Sequence, residues 1–114
     1  MEYIKYALQY NHNVCIFDYS GSGLSEGDYV TMGINESQDL KKVVSFLRER
    51  YNISKFTLWG RSMGAVTAIM YASMEPFRVS RMVLDSPFSN FRQLVKEIVN
   101  ARTGLPDFLF GSII

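Results

Sequence analysis

One cysteine, one histidine, one tryptophan and three prolines stand among 114 residues, and neither charge sign dominates. A single cysteine, Cys15, cannot build a disulfide framework, so the sequence does not call for an oxidising compartment. It lies in an apolar run and is expected to be a buried, inert thiol. The net charge of +1 leaves no electrostatic case for binding nucleic acid or an anionic membrane. No apolar run approaches the roughly 20 residues needed to span a bilayer. The apolar end, Phe108 to Ile114, is far shorter and reads as chain interrupted in mid-fold. Residues Met1 to Tyr10 lack a basic segment followed by an apolar one, so no signal peptide is expected and a cytoplasmic location is. What is present is 47% hydrophobic and 20% charged, the balance of a soluble globular protein with a substantial core. The length fits one domain or part of one.

The order of elements follows from hydrophobic period and from breakers. Residues 2 to 10 suggest a short helix with Ile4, Ala7 and Leu8 on one face, broken by Asn11-His12-Asn13. Val14-Cys15-Ile16-Phe17 is a continuous apolar run and reads as a strand buried on both faces. The glycine-rich stretch from Asp18 to Gly33 has no helical period and is loop. Asn35 and Gln38 make a capping-box pattern. Leu40, Val43, Val44, Leu47 and Tyr51 then form an apolar helical stripe, which Asn52 ends. Lys55 to Trp59 is a second strand. Ala65 to Met74, apolar nearly all round, is a helix expected to be deeply buried, and Pro76 stops it. Arg81 to Asp85 is a third strand. Ser89 or Asn90 caps a last helix carrying Phe91, Leu94, Val95 and Ile98, closed by Gly104 and Pro106. Strands alternating with helices predict an α/β fold with parallel strands near 14–17, 56–60 and 81–85.

The chemistry concentrates between the second strand and its helix, at Gly60-Arg61-Ser62-Met63-Gly64. A serine hydroxyl is a weak nucleophile until it is fixed beside a base and oxyanion donors. A sharp strand-to-helix turn can fix it. Glycines two residues before and after leave room for the close passage of the chain. Ser62 is the candidate nucleophile. The Met63 N–H, at the start of a helix, aims where an oxyanion would form.

With its context, Leu58-Trp59-Gly60-Arg61-Ser62-Met63-Gly64-Ala65 resembles the nucleophile elbow of α/β-hydrolases of the serine-aminopeptidase-like branch. Phe17-Asp18-Tyr19-Ser20-Gly21-Ser22-Gly23-Leu24-Ser25-Glu26-Gly27 resembles the strand and loop that precede the elbow there, and Val83-Leu84-Asp85-Ser86-Pro87-Phe88 those that follow it. The resemblance implies an incomplete α/β-hydrolase fold over residues 1–114, as the central portion of a domain. It implies serine-hydrolase attack on an ester, thioester or amide of a small-molecule, peptide or lipid acyl substrate, through an acyl-Ser62 intermediate. It implies no metal and no organic cofactor.

The family also needs an oxyanion loop, usually His-Gly, an acid after a later strand, and a histidine after the last strand. The sequence holds no His-Gly pair. His12 precedes the first predicted strand and is expected at a loop or helix end, away from the elbow. Asp85 ends a strand on the elbow's side, where some lipases carry their triad acid; the resemblance makes it structural more readily than acid. Asp18 is expected to hydrogen-bond its own loop. The 114-residue chain is therefore expected to be inactive alone. The family's strand between those at 14–17 and 56–60 is also missing. Its neighbours must leave a gap, pair in another way or stay loose, and self-association through unpaired strand edges is expected. Two other readings remain: a non-catalytic truncated or pseudo-hydrolase fragment, and a dinucleotide-binding domain. The second has Gly21-Ser22-Gly23 after a strand but Glu26 where its third small residue belongs.

Overall fold

A computed structural model describes residues 2–27, 30–90, 93 and 96. Helix α1 is Glu2–Gln9 and helix α2 is Ile34–Tyr51. Strand β1 is Phe56–Arg61, helix α3 is Met63–Met74, and a single 3-10 turn at Pro76–Arg78 leads into strand β2, Val79–Asp85. Strands β1 and β2 pair in parallel, with Thr57 opposite Arg81 and Arg61 opposite Asp85, and α3 is the crossover between them. The register is irregular between Phe56 and Thr57.

The core lies where α2, α3 and β1 meet. Leu40 and Val44 of α2, Leu58 of β1, and Ala68 and Tyr71 of α3 form one buried cluster, with Phe17, Phe56, Val79 and Leu84 packed around it. The apolar stripe read in α2 accounts for this: Leu40 and Val44 are buried and Val43 and Leu47 half-buried, while Tyr51 stays exposed. Asn52 ends α2 in a left-handed conformation, its N–H donating to the Arg48 carbonyl. On α3, Ala65, Thr67, Ala68 and Tyr71 are buried, but Ile69 and Met74 are exposed. The all-round burial expected of this helix holds on the side facing α2 and the sheet.

The first turn of α2 is tied down differently from the Asn35–Gln38 pattern. Glu36 is the residue that reaches back. Its carboxylate accepts from the Thr31 N–H at 2.7 Å and the Thr31 hydroxyl at 2.6 Å, with a longer contact from the Gly33 N–H. The Thr31 hydroxyl oxygen in turn accepts the Asn35 N–H at 2.7 Å. Gly33 stands at φ 121°, where a β-carbon would press on Val66 and Met70 of α3.

The strand expected at 14–17 is corrected. Among the described residues the sheet has two strands, and residues 12–19 run without a ladder. Val14 and Ile16 are exposed, and so is Cys15, which is not the buried thiol expected. Only Phe17 from this run reaches the core. The cause is mutual dependence: a strand is buried on both faces only when neighbours supply hydrogen bonds and cover. The predicted last helix falls mostly outside the described residues; Gln93 and Lys96 are helical, and the Gln93 N–H donates to Asn90 Oδ1. Among the described residues, no helix is long and apolar enough to cross a membrane.

Candidate nucleophile elbow

β1 ends at Arg61, α3 begins at Met63, and Ser62 alone makes the turn. Its backbone sits at φ 52°, ψ −115°. That region is strained for any residue with a β-carbon, by about 1–3 kcal/mol. The turn persists because its surroundings over-determine it. The Ser62 N–H donates to the Asp85 carbonyl oxygen at 2.8 Å, and the Ser62 carbonyl oxygen accepts from Ala65 and Val66 at 3.0 and 3.1 Å. A β-carbon at residue 60 would overlap the Gly64 carbonyl and approach the Ala65 nitrogen to 2.6 Å. Gly60 is therefore required by the close passage of strand and helix. Gly64 is not: a β-carbon there would meet open space, so the room expected of both glycines is needed at one.

The Ser62 side chain is exposed. Among the described residues, the N–H groups of Met63 and Gly64 have no protein acceptor. They are the orphan donors of a helix N-terminus, carrying its positive dipole end. Thr67 bonds the Met63 carbonyl oxygen through its hydroxyl at 2.8 Å, closing the first turn of α3 from inside.

Asp85 ends β2 directly beside the elbow, opposite Arg61. Its carboxylate takes the Ser86 hydroxyl at 2.8 Å and lies 3.5 Å from Arg61 Nε. Ser86 is itself at φ 54°, so two successive strand ends turn through left-handed serines side by side. His12 lies in the turn after α1, exposed. Its N–H donates to the Ala7 carbonyl, and among the described residues its ring makes no hydrogen bond or ion pair. The structure brings Ser62, Met63 and Asp85 together and gives none of them a histidine partner.

The loop after residue 17 is organised by Asp18, as short carboxylates do in turns. Asp18 accepts from the Leu24 N–H at 3.1 Å and, through its carbonyl, from the Ser25 hydroxyl at 2.6 Å. Its carboxylate packs against Gly23 and sets a like charge beside the glycines that a phosphate would need. The following helix does not begin until Ile34. Both observations count against dinucleotide binding at this glycine loop.

Sequence reasoning missed the polar cluster behind the elbow helix. Glu36, Ser37 and Thr67 are buried together with the core. Burial alone would raise the Glu36 carboxyl, but hydrogen bonds from Thr31 and the local backbone outweigh it and hold Glu36 below its ordinary value. Tyr19 is pushed up by burial and by the charges of Glu36 and Asp39, against a lowering hydrogen bond from Thr67. The Ser20 N–H donates to Asp39 Oδ2 at 2.8 Å, tying the loop to α2. The sequence offers Thr31 and a glutamate at the third residue of α2, but Asn35 and Gln38 stand at the capping-box spacing and mask them. Among the described residues, no group of three His, Cys, Asp or Glu side chains could hold a metal ion.

A family model described as the alpha/beta hydrolase fold matches residues 1–111. The chain is similar to the uncharacterized protein YqkD of Bacillus subtilis, 33% identical over 95% of this chain and 36% of that protein. It is similar also to an uncharacterized protein of Acanthamoeba polyphaga mimivirus, 28% identical over 97% of this chain and 40% of that protein. It thus spans well under half the length of these curated relatives. An extracellular alpha/beta-hydrolase from a Paenibacillus species superposes with a TM-score of 0.57 at 21% identity, over 96% of this chain and 50% of that one. With the strand–turn–helix at Ser62, the parallel pair β1–β2 and a match over nearly all of its length, the chain belongs to the α/β-hydrolase fold family.

Proposed function

We propose that the chain is the nucleophile-bearing segment of a serine hydrolase acting on an ester, thioester or amide. The observation that carries this reading is the Ser62 backbone, held at φ 52°, ψ −115° between β1 and α3 with its side chain in the open. In this reading Ser62 Oγ attacks the carbonyl carbon while its proton passes to a base. The Met63 N–H helps hold the oxyanion, the leaving group departs with a proton, and water cleaves the acyl-Ser62 ester. No metal or organic cofactor enters this chemistry.

The base is the missing partner. His12 is the sole histidine of the sequence and contacts nothing at the elbow among the described residues. The 114-residue chain alone is therefore read as inactive, with the reaction belonging to a longer polypeptide of the kind its relatives represent. The same reading has isolated chains associate through the edges of the β1–β2 pair, which carry no further ladder among the described residues.

Labelling with a fluorophosphonate probe tests both parts. The longer polypeptide should be labelled at Ser62, and Ser62→Ala should abolish it. The 114-residue chain should stay unlabelled. A longer polypeptide that resists the probe removes the hydrolase reading; a labelled 114-residue chain removes the claim of inactivity.

A further inference from the structure

We infer that Asp85 is a positioning residue for the nucleophile turn and not the acid of a triad, a step that rests on the hydrolase reading of Ser62. Three contacts converge on it. Its carbonyl oxygen takes the Ser62 N–H at 2.8 Å. One carboxylate oxygen accepts from the hydroxyl of Ser86, the left-handed residue that turns the chain away from β2. The other carboxylate oxygen faces Arg61 Nε at 3.5 Å, from the residue just before Ser62.

Asp85 thus touches Arg61, Ser62 and Ser86, and its carbonyl joins the two left-handed turns through the Ser62 N–H. The carboxylate fixes Ser86 and so fixes the direction of the Asp85 carbonyl. That carbonyl fixes the Ser62 amide, and with it the direction of Oγ. A triad acid would instead present a carboxylate oxygen to an imidazole. Here one oxygen accepts from Ser86 and the other faces Arg61. The Arg61 contact is the lesser part, since both side chains are well exposed to water. The Ser86 bond and the carbonyl are the working parts.

The roles separate by substitution in the polypeptide that the fluorophosphonate probe labels. Asparagine keeps one acceptor oxygen, enough for the Ser86 hydroxyl, but cannot support a charged imidazole. A positioning role predicts that Asp85→Asn keeps the labelling rate within about threefold, whereas Asp85→Ala loses ~10–100-fold, the scale of a misplaced reacting group. With an ester substrate the loss should fall on kcat with KM unchanged, and the pH–rate midpoint should stay put. Loss of about 10⁴-fold in Asp85→Asn would make Asp85 the acid and overturn the inference. An Asp85→Ala variant that reacts at the wild-type rate would overturn it from the other side. Wild-type protein that is never labelled at Ser62 defeats the hydrolase reading instead. The positioning claim then stands on hydrogen exchange in the 114-residue chain. Asp85→Ala should speed exchange of the Ser62 amide at least about tenfold relative to the Val44 amide in α2. Unchanged Ser62 protection would defeat it.

Discussion

Gly60 is confined by close passage of the chain and Ser62 by backbone strain, so their substitutions should move stability in opposite directions. Gly60 is at a place where any β-carbon collides with the Gly64 carbonyl, which is main chain and cannot swing aside. Gly60→Ala should cost about 3 kcal/mol or more, read as a fall in the thermal midpoint. Ser62 occupies a left-handed conformation that glycine accepts without strain. Ser62→Gly should therefore raise stability by about 1 kcal/mol while removing the nucleophile. A glycine variant that melts earlier than wild type would mean that the side chain, not the turn, stabilises this junction. A third residue, Glu36, makes stability depend on pH. Its folded pKa is lowered, so its contribution is present above the ordinary carboxylate value near 4.5 and lost as pH falls through the lower folded value. The acid limb of a pH–stability curve should flatten in Glu36→Gln. At neutral pH Glu36→Ala should cost about 2 kcal/mol, since it strands the part-buried donors of Thr31 and the buried N–H of Gly33.

At the scale of elements, the sequence was legible wherever an element carries its own reason to exist. The stripe through Leu40 and Val44 sets α2, and Asn52 and Pro76 stop helices by local backbone preference. The elbow was legible because a turn that tight admits few residues: a glycine at 60 is demanded by atoms four residues away in the same segment. The run Val14 to Phe17 was misread for the converse reason. Its composition fits a covered strand, but cover comes from neighbours, and β1 pairs only with β2 among the described residues. The cap of α2 was misplaced because several short polar residues stand within one turn of Ile34. Only three-dimensional reach selects Thr31 and Glu36 over Asn35 and Gln38. The layer of α2, α3 and β1 is the part of the fold with a closed core, and Leu58 is its contribution from the sheet. Leu58→Ala should cost about 2–4 kcal/mol in a denaturant titration, with the slope unchanged if the three elements unfold together.

For the whole molecule, the two-stranded sheet has no further ladder on either outer edge among the described residues, and exposed apolar side chains lie on the sheet and on α3. Met82 and Val83 of β2 are each more than two-fifths exposed, as are Trp59 of β1 and Ile69 of α3. Tyr3 of α1 lies tilted against Trp59, with ring centroids 5.0 Å apart. Net charge of +1 supplies almost no long-range repulsion between copies. Unpaired strand edges, uncovered apolar faces and a charge near zero all favour association of the isolated chain. Sedimentation at rising concentration should show oligomers forming from the 114-residue chain. Edge association is blunted by a lysine on the strand, so Val83→Lys should shift the distribution toward monomer while the helical circular dichroism persists. The substitution separates edge pairing from general stickiness. If Val83→Lys leaves the oligomers unchanged but Phe77→Lys, at an exposed apolar residue outside the sheet, dissolves them, association runs through the loop surface and not through the strands.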